Sequence, residues 1–208
     1  MKKYIRYAYK NLVFFGSFSP FHDGHRQLAL NLSQRYEDSK CYFVLTPNNP
    51  HKDKNNLLPF ELRLKMLKNG IKTFKSMNIR YEISTIEEDM PVPNYTYLTL
   101  SSLTNIFGVR PTVVIGLDAF NSLPKWKNYE ELKKYPYCVF GRNGGKIEVE
   151  GLNVEAFIEF DNPLSSTQIR TAFKNNDMYS DIQADLTCSE NFNLLKRHYN
   201  LNKIIESI

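Results

Sequence analysis

The chain has 208 residues, of which 42% are hydrophobic and 24% are charged. This length suits one α/β domain, and no run of about 18 apolar residues that could cross a membrane is present. The formal net charge of +5 favours an anionic partner. Because the lysines are scattered and form no block of like charges, a small phosphorylated ligand fits better than a nucleic acid.

The cysteines and the first residues argue against an extracellular or metal-binding protein. Cys41, Cys138 and Cys188 are odd in number and contain no CxxC pair, so we predict no zinc or redox site. The stretch 1–10 lacks the apolar run and the cleavage site of a secretory signal. We therefore expect a cytoplasmic protein without membrane contact.

Apolar runs and helical periodicity alternate along the chain. In chain order, the predicted elements are a strand at 12–16, a helix at 23–38, a strand at 41–45, a helix at 59–74, a strand at 79–83, a helix at 96–107, a strand at 112–116, two short helices split at Pro124, strands at 137–141 and 154–160, and helices at 166–174 and 190–198. No repeat or linker interrupts them. We expect a single domain over 1–208, with a core at 12–175 and a small C-terminal helical segment at 176–208.

Strands that alternate with helices predict an α/β fold, a Rossmann-like doubly wound parallel sheet of five to six strands. Ligands of such sheets bind beyond the carboxyl ends of the strands. Gly16 and Gly116 end two of the predicted strands. We therefore expect both glycines to lie at the edge that binds the ligand.

The stretch "GSFSPFHDGH" after the first strand holds two of the four histidines. His22 and His25 lie three residues apart, so both project from one side of the first helical turn. Gly24 lets a ligand approach the backbone between them, and the helix start adds N–H groups and partial positive charge. We predict a phosphate site at which the imidazoles stabilise transition-state charge. The structural alternative is that one histidine caps the helix and the other packs against the sheet.

The same stretch excludes several other sites. It has neither GxGxxG nor the Walker A lysine, and no third ligand at metal spacing, so we predict no metal site. "GSFSPFHDGH" resembles the strand-turn-helix signature of the nucleotidyltransferase superfamily that includes class I aminoacyl-tRNA synthetases. The resemblance implies that His22 and His25 contact nucleotide phosphates, and that the reaction is nucleotidyl transfer with loss of pyrophosphate.

A second phosphate element is predicted in "NPLSSTQIRTAF". Ser165, Ser166 and Thr167 open a helix, and Arg170 follows on the face of Thr167. Hydroxyls, N–H groups and a guanidinium can bind one anion, whereas an ordinary capped helix with a surface arginine is the alternative. "SSTQIR" resembles the element by which adenylyltransferases of the superfamily hold the β and γ phosphates of ATP.

Three further stretches narrow the resemblance. "TPNNPHK", "NYTYLTL" and "IGLDAFNSLPKWKNYEEL" resemble, in this order, segments of bacterial nicotinate-mononucleotide adenylyltransferases, and the resemblance covers about 12–173. It implies adenylyl transfer from ATP to nicotinate mononucleotide, which gives nicotinate adenine dinucleotide and pyrophosphate in NAD biosynthesis. Mg²⁺ is expected to arrive on the triphosphate of ATP. The oligomeric state is left open, a homo-oligomer included.

Residues in these stretches also have physical interpretations. His51 and Lys52, on a loop beyond the second strand, can reach the acceptor phosphate as mobile cations. Asp118 suits a ribose hydroxyl, and the indole of Trp126 can stack on a pyridine ring, although core packing is its alternative. The resemblance implies that Thr96 helps to bind the nicotinate.

The predicted site has three groups of residues. Those expected to carry the chemistry are His22, His25, Lys52 and Arg170. Those expected to bind ATP are Gly16, Ser17, Phe18, Gly24, Gly116, Asp118, Arg142, Ser166, Thr167 and Ile169. Those expected to bind the acceptor are His51, Thr96, Trp126 and Lys127.

The sequence departs from the family pattern in places, and other functions stay open. Ser19 stands where an aspartate is common, no proline follows Arg142, and the last 35 residues match poorly. The alternatives are transfer to nicotinamide mononucleotide or to phosphopantetheine, cytidylyl transfer, an inactive nucleotide sensor and nucleic-acid binding. The chain is too short for a tRNA synthetase with an anticodon-binding domain.

Overall fold

The computed structural model describes residues 9–36, 38–47, 57–74, 80–141, 144–160, 165–175 and 185–206. These residues form two compact units. The sheet unit takes its residues from 1–16, 31–54 and 80–162, and the helical unit takes them from 17–30, 55–79 and 163–208. The single domain expected from the sequence stays a prediction.

The sheet unit contains one sheet of six parallel strands, in the order β3-β2-β1-β4-β5-β6. The strands are β1 Asn11–Gly16, β2 Lys40–Leu45, β3 Arg80–Ser84, β4 Thr112–Gly116, β5 Pro136–Gly141 and β6 Asn153–Glu159. Phe14 lies opposite Phe43 on one side and Val114 on the other. The predicted α/β, doubly wound parallel sheet is confirmed.

Helices connect these strands and continue after them. In chain order they are α1 Asp23–Arg35, α2 Phe60–Lys72, the 3₁₀ helix η1 Ile86–Asp89, α3 Thr96–Phe107, α4 Leu117–Asn121, the 3₁₀ helix η2 Leu123–Lys125, α5 Tyr129–Leu132, α6 Ser166–Asn175 and α7 Ser189–Glu206. No helix in the described ranges is long and apolar enough to span a bilayer.

Most predicted helices are present, with differences at their ends. Helix α1 ends three residues before the predicted 38, where Asp38 has a left-handed φ of 58° that an α-helix does not continue through. The two short helices predicted on either side of Pro124 are present as α4 and α5, and the 3₁₀ helix η2, which contains Pro124, lies between them. Helix α7 runs on to Glu206, beyond the predicted 198.

Each unit has its own apolar core. In the sheet unit, buried residues of β4 and β5 pack with the short helices, among them Val113, Phe120 and Val139. In the helical unit, α2, α6 and α7 share a core that includes Met66 and Phe173. The C-terminal helix therefore has a packing role within its unit.

The edge of the sheet at β1 and β4 is where a ligand is expected. These neighbouring strands separate the two halves of the strand order, and binding crevices form beyond the carboxyl ends of strands at such a switch point. Gly16 ends β1 and Gly116 ends β4. Both glycines therefore lie at the edge where the sequence places them.

Candidate active site

The turn before α1 belongs to the helical unit and spans 17–20. Phe18 has a left-handed φ of 41° and is 2% exposed. For a non-glycine residue this backbone conformation costs roughly 1–2 kcal/mol. The ring packs against Phe21 and His25, with centroid distances of 5.9 and 5.1 Å, and this packing holds the turn in its unusual shape.

The two histidines lie together at the start of α1. The carbonyl of His22 accepts hydrogen bonds from the backbone N–H groups of His25 and Arg26, at 3.0 and 3.3 Å, so His22 is the N-cap residue. In return, Nδ1 of His25 accepts from the backbone N–H of His22 at 3.2 Å, as the third helical residue does in a capping box. A ring nitrogen that accepts carries no proton, so the proton of neutral His25 is on Nε2.

His22 is the more buried of the two imidazoles. Its ring centroid lies 3.8 Å from that of His25, and the residue is 6% exposed. Burial lowers the pKa of His22 to about 4, which the nearby Asp23 opposes only in part. Its Nδ1 has no hydrogen-bond partner among the described residues. If the two histidines only capped the helix and packed in the protein, the hydrogen bond of His25 Nδ1 would be explained, but Nδ1 of His22 would be buried without a partner. A hydrogen bond to a ligand could satisfy this nitrogen.

The late helix α6 reaches the same turn. Ser165 and Gln168 form the capping box of α6, in which the hydroxyl of Ser165 accepts from the N–H of Gln168 at 3.2 Å. The hydroxyl of Ser166 donates to the carbonyl of Pro20 at 3.0 Å, and Nη1 of Arg170 donates to the carbonyl of Ser19 at 2.6 Å. Two predicted phosphate ligands thus lie against the turn that leads into His22.

The remaining residues of this predicted phosphate element differ in exposure. Arg170 is half-buried, burial lowers its pKa, and its Nη2 donates to the hydroxyl of exposed Thr167 at 3.2 Å, so Arg170 is not a free surface side chain. The side chain of Ile169 is 1% exposed in the core of the helical unit.

Two further residues predicted to bind ATP lie near α1: Ser17 is buried in the 17–20 turn, and Gly24 is buried at the start of the helix. Their predicted role in binding ATP stays a prediction.

The sheet unit carries a pocket of about 840 Å³ at the carboxyl ends of β1 and β4. This volume lies in the range of small-molecule sites. Five predicted residues line the pocket: Gly16, Thr96, Gly116, Trp126 and Lys127. Asp118 is exposed on α4 and is not part of this lining. The structure therefore brings most of the predicted acceptor site together.

Trp126 is fixed on the wall of this pocket. Its indole N–H donates to the hydroxyl of Ser122 at 2.9 Å, and the half-buried ring packs against the core of the sheet unit. Core packing and a place on the pocket wall are thus both realised. An indole held in this way is a rigid apolar surface for a flat ring.

Glu87 and Asn94, which sequence reasoning missed, also line the pocket. The carboxylate of Glu87 accepts from the hydroxyl of Thr99 at 2.8 Å, and its main-chain carbonyl accepts from Nδ2 of Asn94 at 2.9 Å. Glu87 is 2% exposed, and burial raises the pKa of its carboxyl, against the hydrogen bond from Thr99. The only signal in the sequence is a run of three acidic residues before "NYTYLTL", which does not tell which of them is buried.

Some predictions cannot be placed in the structure. His51, Lys52 and Arg142 lie outside the described residues. Within the described ranges, no group of three or more His, Cys, Asp or Glu side chains is arranged to hold a metal ion.

Known proteins share both the sequence pattern and the fold. The family model described as cytidylyltransferase-like matches residues 13–172. A probable nicotinate-nucleotide adenylyltransferase of Porphyromonas gingivalis is 35% identical over 77% of this chain and 82% of its own length. One from Flavobacterium psychrophilum is 33% identical over 78% of this chain and 86% of its own length.

Solved structures give the same fold at lower identity. A Plasmodium falciparum nicotinic acid mononucleotide adenylyltransferase, complexed with NaAD, aligns with a TM-score of 0.72 at 17% identity, over 91% of this chain and 96% of that one. A putative nicotinate-nucleotide adenylyltransferase from Vibrio parahaemolyticus aligns with a TM-score of 0.60 at 21% identity, over 90% and 95%. These likenesses support the fold.

The doubly wound sheet, the paired histidines and the family match define a nucleotidyltransferase of the cytidylyltransferase-like class. The relatives from Porphyromonas gingivalis and Flavobacterium psychrophilum are each more than 30% identical over more than three quarters of this chain. The chain belongs to the nicotinate-nucleotide adenylyltransferase family.

Proposed function

We propose that the protein transfers the adenylyl group of ATP to nicotinate mononucleotide, which gives nicotinate adenine dinucleotide and pyrophosphate for NAD biosynthesis. The observation that carries the proposal is the turn at 17–20. It ends in the His22–His25 pair, and the side chains of Ser166 and Arg170 hold it from α6. The family match supports the same reaction.

The chemistry needs alignment and charge neutralisation more than it needs a base. The acceptor phosphate is already anionic, so one of its oxygens attacks the α-phosphorus of ATP, and the bond to the bridging oxygen breaks to release pyrophosphate. His22, which its lowered pKa keeps neutral, and His25 donate hydrogen bonds to the phosphates as charge builds up. Arg170 and Lys52 supply positive charge.

The pocket of the sheet unit accepts the pyridine ring in this proposal. Trp126 provides the stacking surface, and the backbone near Thr96 and Lys127 binds the carboxylate of the ring. Asp118 accepts from a ribose hydroxyl. A pocket that is mostly apolar with a few polar groups is typical of such ligands.

Mg²⁺ enters on ATP in this proposal. The described residues of the turn and of α6 offer imidazoles, hydroxyls and a guanidinium, whereas Mg²⁺ prefers carboxylate and other oxygen ligands. This donor set does not fit a protein-held Mg²⁺, and we derive no step through one. The cytoplasmic location remains a prediction, and the oligomeric state stays open, a homo-oligomer included.

One assay tests the reaction and the acceptor together. Pyrophosphate release from ATP is measured with nicotinate mononucleotide, nicotinamide mononucleotide and phosphopantetheine in parallel. We expect the highest kcat/KM with nicotinate mononucleotide. If pyrophosphate release is fastest with another acceptor, nicotinate mononucleotide is not the preferred substrate. If ATP binds but no mixture releases pyrophosphate, the proposed reaction is wrong.

Variants of the histidines test the roles given to the turn. His22→Ala and His25→Ala are each expected to lower kcat roughly a hundredfold or more, with the circular dichroism spectrum unchanged. His198→Ala, a half-buried histidine on α7, is the matched control and should keep wild-type turnover. Equal losses in all three variants would argue for a general structural effect.

A further inference from the structure

Arg63 is a fully buried cation in the helical unit that the reaction described above does not use. It lies on α2 and is 2% exposed, as deeply buried as the apolar residues around it. Burying a charged side chain is costly unless hydrogen bonds compensate it. The contacts of Arg63 therefore show what the protein gains by keeping a guanidinium there.

The guanidinium bridges two chain segments. Nη1 donates to the carbonyl of Ser17 at 2.8 Å, and Nε donates to the carbonyl of Leu58 at 2.9 Å. The guanidinium carbon lies 5.3 Å from the ring centroid of Phe60, in cation–π range. Leu58 in turn donates its backbone N–H to the hydroxyl of Ser19 at 3.0 Å. The turn at 17–20 is thus bound to the start of α2 at two points.

Three carbonyls of this turn accept from side-chain donors. Arg63 binds the carbonyl of Ser17, Arg170 binds that of Ser19, and Ser166 binds that of Pro20. A carbonyl oxygen carries partial negative charge and would repel a phosphate that came near it. Held by these donors, the three oxygens cannot rotate toward an anion at the His22 end of the turn.

Arg63 also remains charged. Burial lowers the pKa of its guanidinium to about 10, which still leaves it protonated at neutral pH. Charges interact more strongly in the protein interior than in water. A cation bonded directly to the turn therefore adds favourable potential for an anion bound there.

We propose that Arg63 is a positioning residue for the triphosphate of ATP: it holds the carbonyl of Ser17, and with it the start of the 17–20 turn, and it contributes a buried positive charge next to the turn. The inference rests on the proposed function, because it assigns the turn to ATP. Arg63 itself does not touch the substrate.

The test compares ATP affinity in four proteins by calorimetry: the wild type, Arg63→Lys, Arg63→Ala and the control Met66→Ala. Met66 is 0% exposed on the same helix and packs in the core of the helical unit, so its truncation weakens that core without removing a hydrogen-bond donor from the turn. Lysine keeps the charge but lacks the two-pronged donor geometry. We expect the Kd for ATP to rise at least tenfold in both Arg63 variants, and to change less than twofold in Met66→Ala.

Steady-state kinetics and chemical rescue separate positioning from general destabilisation. In Arg63→Lys, the KM for ATP should rise while that for nicotinate mononucleotide changes less than twofold. Methylguanidinium at millimolar concentration should restore part of the ATP affinity of Arg63→Ala and have no effect on Met66→Ala. If Arg63→Ala does not fold, the comparison of the KM values for ATP and for nicotinate mononucleotide in Arg63→Lys tests the proposal instead.

Three results would overturn the inference: wild-type ATP affinity in Arg63→Lys, an equal rise of both KM values, or the same rescue of Met66→Ala. A wild-type protein that neither binds ATP nor releases pyrophosphate would overturn the proposed function, and the inference with it. A wild type that turns over normally, with folded Arg63 variants that match it, would overturn the inference alone.

Discussion

Nδ1 of His25 accepts a hydrogen bond from the backbone N–H of His22 at 3.2 Å. One nitrogen of the ring thus completes the helix cap, and the other carries the proton. The same imidazole has a structural contact on one side and a donor for a ligand on the other. A substitution can separate these two roles.

His25→Gln is expected to keep the fold and lose the reaction. Glutamine at the third helical position is the usual capping-box partner, so the cap should persist and the free energy of unfolding should fall only through the lost ring contacts with Phe18 and Phe21. Turnover should fall roughly a hundredfold, the scale of about 2.7–4 kcal/mol for the loss of one transition-state donor. Urea unfolding and pyrophosphate release measure the two effects. Wild-type turnover in His25→Gln would show that the imidazole of His25 does not take part in the reaction.

Acid should destabilise the protein through His22. Its folded-state pKa of about 4 lies below the ordinary histidine value of 6.5, so the unfolded chain binds the proton more readily. The associated stability is fully present above pH 6.5 and is lost as the pH falls toward 4. At pH 5 the loss is about 2 kcal/mol for a shift of this size.

The variant His22→Asn makes this pH effect measurable, because it lacks the titrating ring. Urea unfolding at pH 7.5 and pH 5 should show a larger loss of stability in the wild type than in the variant. Glu87, whose pKa is raised by burial, acts in the opposite direction but is common to both proteins, so the difference isolates His22. Equal losses in the two proteins would contradict a depressed pKa at His22.

Trp126 should report the binding of the acceptor. It is the only tryptophan in the chain. When tryptophan is excited selectively, the fluorescence of the protein therefore comes from this residue on the pocket wall. Nicotinate mononucleotide should quench this emission, whereas ATP alone should change it little. Trp126→Ala should raise the KM for the acceptor about tenfold, because stacking and burial are both lost. An unchanged KM for nicotinate mononucleotide in Trp126→Ala would show that the pyridine ring does not stack on Trp126.

The contact between Glu87 and Thr99 should matter for the acceptor. Thr99→Val removes the hydroxyl that the carboxylate binds at 2.8 Å, and this contact helps to hold the first turn of α3, where Thr96 lies. We expect a higher KM for nicotinate mononucleotide and an unchanged KM for ATP. Thr104→Val is the matched control on the same helix, since its hydroxyl bonds to the carbonyl of Leu100 at 2.8 Å. If both variants have a similar KM for nicotinate mononucleotide, the contact between Glu87 and Thr99 does not contribute to binding of the acceptor.

Two glycines should respond to alanine for different reasons. A Cβ at Gly70 would lie 2.5 Å from Cδ1 of Phe21, so Gly70→Ala should destabilise the protein by about 1–3 kcal/mol, although alanine is the better helix former. Gly108 caps α3 with a φ of 71° and has open space around it. Gly108→Ala should cost roughly 1–2 kcal/mol through backbone strain alone. Urea unfolding measures both, and a stabilised Gly70→Ala would contradict the packing.

The strands were predictable because a strand buried on both faces leaves a continuous apolar run. "LVFFG" and "TVVIG" are such runs, and both form strands next to each other. Helix ends were less predictable, since the end of α1 depends on the left-handed backbone at Asp38. The sequence pattern there continues to look helical.

Arg63 and Glu87 show what a single sequence hides. Helix α2 carries five charged residues, Glu61, Arg63, Lys65, Lys68 and Lys72, and only Arg63 is buried. One of its two carbonyl partners, that of Ser17, is 46 residues away, and the contact with Leu58 has no recognisable sequence pattern. By contrast, the resemblance placed Thr96 and Trp126 among the acceptor residues, and both line the pocket.

The contacts of Arg170 bear on the energetics of ATP binding. A guanidinium has five N–H donors, and among the described residues Arg170 uses one for the carbonyl of Ser19 and one for the hydroxyl of Thr167. Its remaining donors can reach a phosphate while these two bonds persist. In the proposed function, these two bonds order the Arg170 side chain on folding, so part of the roughly 2 kcal/mol of rotamer entropy of a free arginine is not lost again when the nucleotide binds.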